Sequence, residues 1–212
     1  MALTGREIRA IRKKRQRAGK MEFHYGTRTR FFTALLKEKM KFPIVCAEVG
    51  IDMGDYVQYL VDALKDDVSM MYGIDSFRVY RHYSRKTRSS GGRAYRPRWT
   101  QKNWDNLYSQ VVEKFSCYNN VLILRSTSEE ASWIVPDGLH YVFIDAGHDY
   151  HNVINDIHLW EEKMVDGGIL SGHDYKGKKY QDVTIAVDDY ARRFGRKVEN
   201  PILGCWYWEV RK

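Results

Sequence analysis

The chain has 212 residues, is 43% hydrophobic and 29% charged, and carries a net charge of +8. That length supports a single α/β domain with a substantial core. No run of about 18 apolar residues exists, so no membrane span is expected, and no apolar segment near the N-terminus resembles a secretory signal.

The charge is unevenly placed. Residues 1–20 hold eight Lys/Arg against one Glu, residues 76–98 hold eight Lys/Arg and no acid, and the remainder sums to −7. Two segments therefore carry the basicity of a mildly acidic domain, and either suits phosphates or another anionic surface. The plainer alternative is that both are solvated. The three cysteines, Cys46, Cys117 and Cys205, are odd in number and far apart. They read as reduced thiols in a cytoplasmic protein rather than as a disulfide frame or a zinc site.

In chain order, residues 1–20 form a flexible basic arm, and residues 21–212 form the domain. Phe31 to Met40 reads as a short helix ended near Pro43. Ile44 to Val49 is an apolar strand that runs into Gly50-Ile51-Asp52-Met53-Gly54. Met53, Tyr56, Val57, Leu60, Val61 and Leu64 then recur at helical spacing. A strand meeting a helix through two glycines allows a tight turn and close approach of a ligand to the backbone. Ser69 to Ile74 is a second strand ending at Asp75, 21 residues after Gly54. A carboxylate there is placed to bind ribose hydroxyls, or else to cap a helix.

Residues 76–98 interrupt the pattern and read as a basic insertion over the ligand edge. Trp99 to Phe115 is expected to be helical. Val121 to Leu124 is a third strand, followed by Ser126 and Thr127, with Ser128 expected to cap the next helix. Tyr141 to Ile144 is a fourth strand that stops at Asp145. An amphipathic helix through Val153, Ile157 and Trp160 follows, closed by Gly167-Gly168. Ile169-Leu170 leads into Ser171-Gly172-His173-Asp174-Tyr175. Strand, helix, strand implies a right-handed crossover, which gathers Asp145, His148, His173 and Asp174 at one sheet edge. Each alone is equally a cap or a solvated loop residue. The repetition of acid and histidine at two strand ends favours a site. Val183 to Phe194 reads as a last helix and Cys205 to Val210 as a last strand.

Glu48-Val49-Gly50-Ile51-Asp52-Met53-Gly54, Asp75 and Phe143-Ile144-Asp145, taken in this order, resemble class I S-adenosylmethionine-dependent methyltransferases over about residues 42–210. The segments Phe-Ile-Asp-x-x-His-x-Tyr (143–150) and Gly-His-Asp-Tyr (172–175) resemble the branch of macrocin- and mycinamicin-type sugar O-methyltransferases and cephalosporin-hydroxylase-like proteins. The resemblance implies a doubly wound, Rossmann-like domain with a seven-stranded, mostly parallel sheet and an antiparallel last strand. It implies S-adenosylmethionine held by Glu48, Gly50, Gly54, Asp75, Ser76, Ser126, Thr127 and Asp145. It also implies Mg²⁺ on Asp145 and Asp174, with His148 as the base and Asp145 beside it in the catalytic group. Here His173 stands where several metal-dependent relatives have an acid. With His173 as third ligand, a softer ion such as Mn²⁺, or no metal, stays open.

The expected reaction is methyl transfer to a hydroxyl of a small or sugar-like acceptor, anionic if the basic insertion contacts it. Two alternatives remain at this stage. One is a nucleic-acid methyltransferase. The other is a non-catalytic scaffold using its basic arm. An NAD-dependent dehydrogenase is disfavoured, because the turn reads Gly-x-x-x-Gly rather than Gly-x-Gly-x-x-Gly. A homo-oligomer is compatible with the sequence.

Overall fold

The structure, a computed structural model, describes residues 26–79, 99–177, 179–202 and 204–212. The basic arm at 1–20 and the insertion from residue 80 onward lie outside the described residues, and with them the roles expected of those segments.

A helix over residues 26–39 (α1) precedes β1 (Ile44–Val49), α2 (Asp55–Leu64), β2 (Val68–Asp75), α3 (Gln101–Phe115), β3 (Val121–Arg125) and α4 (Ser128–Ile134). Then come β4 (Leu139–Ile144), α5 (Tyr150–Glu162), β5 (Met164–Tyr175), α6 (Gln181–Phe194) and β6 (Gly204–Glu209). The strand order is β3-β2-β1-β4-β5-β6. All neighbours are parallel except β5 and β6. The order reverses between β1 and β4, where an open α/β sheet leaves a crevice at its carboxyl edge.

Why the strands read as continuous apolar runs is clear from β4. Tyr141 and Phe143 enter one core with Phe32, Leu36, Tyr56 and Leu60. Val142 and Ile144 enter the other with Val153, Ile157, Trp160 and Trp208. Successive side chains alternate between faces, and helices cover both faces, so neither set can be polar. Residues from α1, α2 and α3 close the first core, and residues from α4, α5 and α6 close the second.

The α/β, mostly parallel sheet with an antiparallel last pair is as expected, but among the described residues it has six strands rather than seven. The segment between α6 and β6 makes only an isolated antiparallel bridge, Glu199 with Tyr207. Gly195 ends α6 in the left-handed conformation. The few residues between it and β6 include Pro201, which has no N–H to give a ladder. Two local expectations also change. Helix α5 ends at Glu162, and Gly167-Gly168 lies inside β5 where the pairing with β4 slips register. The cap of α4 is Thr127, whose side chain accepts from the Glu130 amide while Glu130 reaches back to the Thr127 amide. Ser128 instead accepts from the Trp160 indole at 2.8 Å.

Candidate active site

Register fixes the site. Val49 lies opposite Ile144, and Ile144 opposite Gly172, so Gly50, Asp145 and His173 leave the sheet at one level. The Asp145 amide donates to Val49 O and the Gly50 amide to Ile74 O, each at 2.8 Å. Gly50 has φ +91, and a Cβ there would stand 2.3 Å from the Asp145 carbonyl oxygen. The glycine thus lets two strand ends touch backbone to backbone. Gly54, at φ +69, starts α2, and a Cβ on it would strike the Phe115 ring at 2.6 Å. Both glycines are required by packing of the turn itself.

Asp75 organises the neighbouring loops. Its carboxylate accepts from the Asp52 amide at 3.0 Å and from the Phe77 amide at 2.9 Å. Asp52 and Phe77 both have positive φ without being glycine. Such backbone costs of order 1–3 kcal/mol per residue and tends to collect at functional edges. Ser76 is buried beside Asp75, and the Ser126 amide donates to Asp75 O at 3.1 Å. Gln101 on α3 bonds Phe77 O and the Val79 amide, which anchors the root of the insertion.

The second cluster joins β4, β5 and the turn before α5. His148 Nε2 lies 2.7 Å from Asp174 Oδ2, and the His148 ring stacks on Tyr180 at 4.0 Å. His173 Nδ1 lies 3.7 Å from Asp145 Oδ2 and 3.4 Å from Asp174 Oδ1. Asp174 again has a positive φ, +58. Burial works to raise the Asp145 carboxyl, but His173, Arg28 and His148 together outweigh it and hold it below the usual carboxylate range. Asp145 is therefore an anion over the whole working range of pH. Glu48, fully enclosed, is pushed the other way, first by burial and then by the Asp145 charge.

All the residues expected from the sequence lie at this carboxyl edge, in two groups. Glu48 and Asp75 lie in the last two residues of β1 and β2, and Ser76 and Ser126 follow β2 and β3, with Thr127 serving as a helix cap. Asp145 and His148 follow β4, and His173 and Asp174 lie in the last three residues of β5. Sequence reasoning missed two residues. Arg28 on α1 is 3% exposed, and its guanidinium reaches Asp145 Oδ2 at 3.3 Å. Its signal was present, since Arg28, Phe32, Leu35 and Leu36 share one helical face. Tyr180 had no signal in the sequence.

The donor set was tested against the two groups the fold implies. For a nucleoside cofactor, Glu48 Oε2 and Ser126 Oγ are among the enclosed polar atoms with no hydrogen-bond partner among the described residues. They mark two ends of the edge with Asp75 at the same carboxyl ends, and the fit is good. For a divalent ion, one ligand atom each from Asp145, His148 and Asp174 lies within 4.8 Å of the others. Ligands about 2.1 Å from one octahedral ion lie about 3–4.2 Å apart, so these three would close on one ion with a small side-chain adjustment. The nitrogen of this trio is from His148; the expected His173 also presents its Nδ1 to Asp145 and Asp174, with its Nε2 toward Gly204.

A strand order that reverses at β1/β4, an acidic cluster there and an antiparallel last strand define a class I methyltransferase domain. The comparisons agree. A family profile described as "Methyltransferase domain" matches residues 47–175, more than half of the chain, and the chain belongs to that family. No curated protein matches it in sequence. The O-methyltransferase NovP shares the fold with a TM-score of 0.64 at 17% identity, over 88% of this chain and 79% of that one. CalS11, a TDP-rhamnose 3′-O-methyltransferase of calicheamicin biosynthesis, gives 0.62 at 12%, over 88% and 80%. An rRNA-methylase-like protein from Clostridium thermocellum gives 0.57 at 11%, over 84% and 95%. The cofactor of the class is S-adenosylmethionine. Among the described residues no helix is long and apolar enough to cross a membrane.

Proposed function

We propose that the domain transfers a methyl group to a hydroxyl oxygen of a small, sugar-like acceptor. The observation that carries this reading is the His148–Asp174 pair at 2.7 Å, set beside Asp145 at the sheet edge. Bound S-adenosylmethionine would supply a methyl group on a sulfonium, ready for in-line displacement. What remains for the protein is alignment and removal of one proton. Alignment alone is worth about 7–11 kcal/mol of barrier. His148 takes the hydroxyl proton, Asp174 fixes the ring and stabilises the imidazolium, and Tyr180 covers one ring face. Glu48, Asp75, Ser76 and Ser126 hold the cofactor, with Gly50 and Gly54 shaping its turn.

A second reading of the same cluster is favoured by the three convergent ligand atoms of Asp145, His148 and Asp174. These residues would hold Mg²⁺ or Mn²⁺, which would acidify the acceptor hydroxyl directly and relieve His148 of the role of base. Nothing in the first reading's acceptor chemistry changes.

NovP and CalS11 support a hydroxyl acceptor by likeness of fold, and CalS11 in particular acts on a nucleotide-linked sugar. The test is transfer of label from methyl-labelled S-adenosylmethionine to a panel holding a nucleoside-diphosphate sugar, a neutral glycoside and RNA. Label on the sugars with none on RNA supports the reading. Label on RNA alone overturns it. Repeating the assay with EDTA and then Mn²⁺ separates the two versions. Unchanged turnover leaves His148 as base, and loss with recovery assigns the ion.

A further inference from the structure

Helix α6 is tied to the end of β5 by a stripe of residues four apart in the sequence. Tyr180, at its N-cap, stacks on the His148 ring at 4.0 Å. Thr184 accepts a hydrogen bond from the Lys176 amide at 2.8 Å. Asp188 accepts one from the Tyr175 hydroxyl at 2.7 Å. Positions four apart share one face of a helix, so a single face of α6 meets the chain as it leaves β5. What that face holds is irregular backbone. Gly172 pairs with Trp206 and Tyr175 with Gly204, so β5 carries one residue more than β6 over this stretch, and the register shifts. The bulge contains His173 and Asp174. Asp174 and Lys176 have φ +58 and +56, and neither is glycine. L side chains rarely adopt such backbone, and it persists only where the surroundings over-determine it.

A bulge beside an active site re-aims a side chain. Here the side chain is that of Asp174, whose Oδ2 stands 2.7 Å from His148 Nε2. We infer that Thr184 and Asp188 are positioning residues, which hold the bulged turn in the shape that aims Asp174 at His148. Thr184 fixes the backbone amide two residues past Asp174. Asp188 fixes Tyr175, the residue next to Asp174, whose ring is buried in the second core. Tyr180, at the head of the same stripe, locks the imidazole. One helix therefore sets both members of the pair, the carboxylate through the turn and the ring through the stack. Whether His148 is the base or an ion is bound, Asp174 has to stand where this turn puts it. A misplacement of about 1 Å costs roughly 10²-fold in rate. Losing either hold from α6 thus shows in turnover while the cofactor end of the site, at β1 and β2, is left intact.

The test uses Thr184→Val, which keeps the shape and removes the acceptor oxygen, and Thr184→Ser, which restores it. Asp188→Ala removes the second hold; Asp188 is exposed, so this variant serves should Thr184→Val fail to fold. Three quantities are read: kcat with the labelled methyl donor, S-adenosylhomocysteine affinity by calorimetry, and the His148 ring nitrogens by NMR. Thr184→Val and Asp188→Ala each lower kcat by about 10- to 100-fold and keep S-adenosylhomocysteine affinity within about threefold. In both, the signal of the hydrogen-bonded His148 Nε2 moves toward that of a free imidazole. Thr184→Ser behaves as wild type in all three. The kcat arm rests on the methyl-transfer reading above, and the NMR arm does not. A wild-type protein with no turnover on any hydroxyl acceptor removes that reading, while the His148 signal still decides this one. A His148 signal unmoved in both variants overturns the inference. So does a loss of cofactor affinity as large as the loss of kcat, or a Thr184→Ser variant as impaired as Thr184→Val.

Discussion

His148 and Asp174 show how one backbone torsion sets chemistry. Asp174 sits at φ +58, a conformation Asp tolerates at some cost, and so turns its carboxylate to His148. In the base reading, His148→Gln lowers kcat by about 10²- to 10⁴-fold while S-adenosylhomocysteine affinity, read by calorimetry, is kept. Retained turnover in that variant excludes the base role. Asp75→Ala removes the carboxylate proposed to bind the ribose together with its hydrogen bonds from the Asp52 and Phe77 amides, and affinity for S-adenosylmethionine falls by about tenfold or more. Asp156 titrates far from the chemistry. Burial lifts it to about 7, against a hydrogen bond from Ser128 that lowers it and the Asp149 charge that raises it further. The native state thus keeps its proton where the unfolded chain has lost it. Stability falls as pH rises from about 4 to 7 and is flat above. Asp156→Asn removes this slope. Denaturant melts should show the variant gaining on wild type across that window, by as much as about 4 kcal/mol. A difference independent of pH would contradict the assignment.

At the scale of elements, the β1–α2 turn is the least tolerant piece. Its glycines looked from the sequence like openings for a ligand. In the fold, the space beside Gly50 belongs to the Asp145 backbone and the space beside Gly54 to Phe115. Gly50→Ala therefore forces β1 and β4 apart at their carboxyl ends. It should cost about 2–4 kcal/mol in a denaturant melt and abolish S-adenosylhomocysteine binding. A variant as stable as wild type would show that the turn yields. The cap of α4 gives a milder lesson. Thr127 and Ser128 are chemically alike, and their assignment was reversed because Trp160, 32 residues on, claims the Ser128 hydroxyl.

At the scale of the whole molecule, α1 joins the first core to the site. Phe32 and Leu36 are fully buried in the first core, and Arg28 lies on the same helix. Removing residues 1–20 should leave turnover of a small acceptor within a few-fold of wild type. Removing residues 1–40 strips α1 and should lower the melting temperature and abolish cofactor binding. If the longer truncation binds S-adenosylhomocysteine normally, α1 is not part of the site.

The sequence by itself determined the strands of the sheet, the antiparallel last strand and the carboxyl-edge residues Glu48, Asp75, Asp145, His148, His173 and Asp174. It could do so because a parallel sheet covered on both faces demands apolar runs, and because the runs of β2, β3 and β4 stop at the charged residues Asp75, Arg125 and Asp145. Tertiary structure alone decided three things. It brought Arg28 to Asp145, a pairing across 117 residues that no local period encodes. It set both His148 and His173 against the two carboxylates, His148 Nε2 on Asp174 and His173 Nδ1 between Asp145 and Asp174. And among the described residues it left one bridge, Glu199 with Tyr207, between α6 and β6, where Pro201 has no N–H to give a ladder.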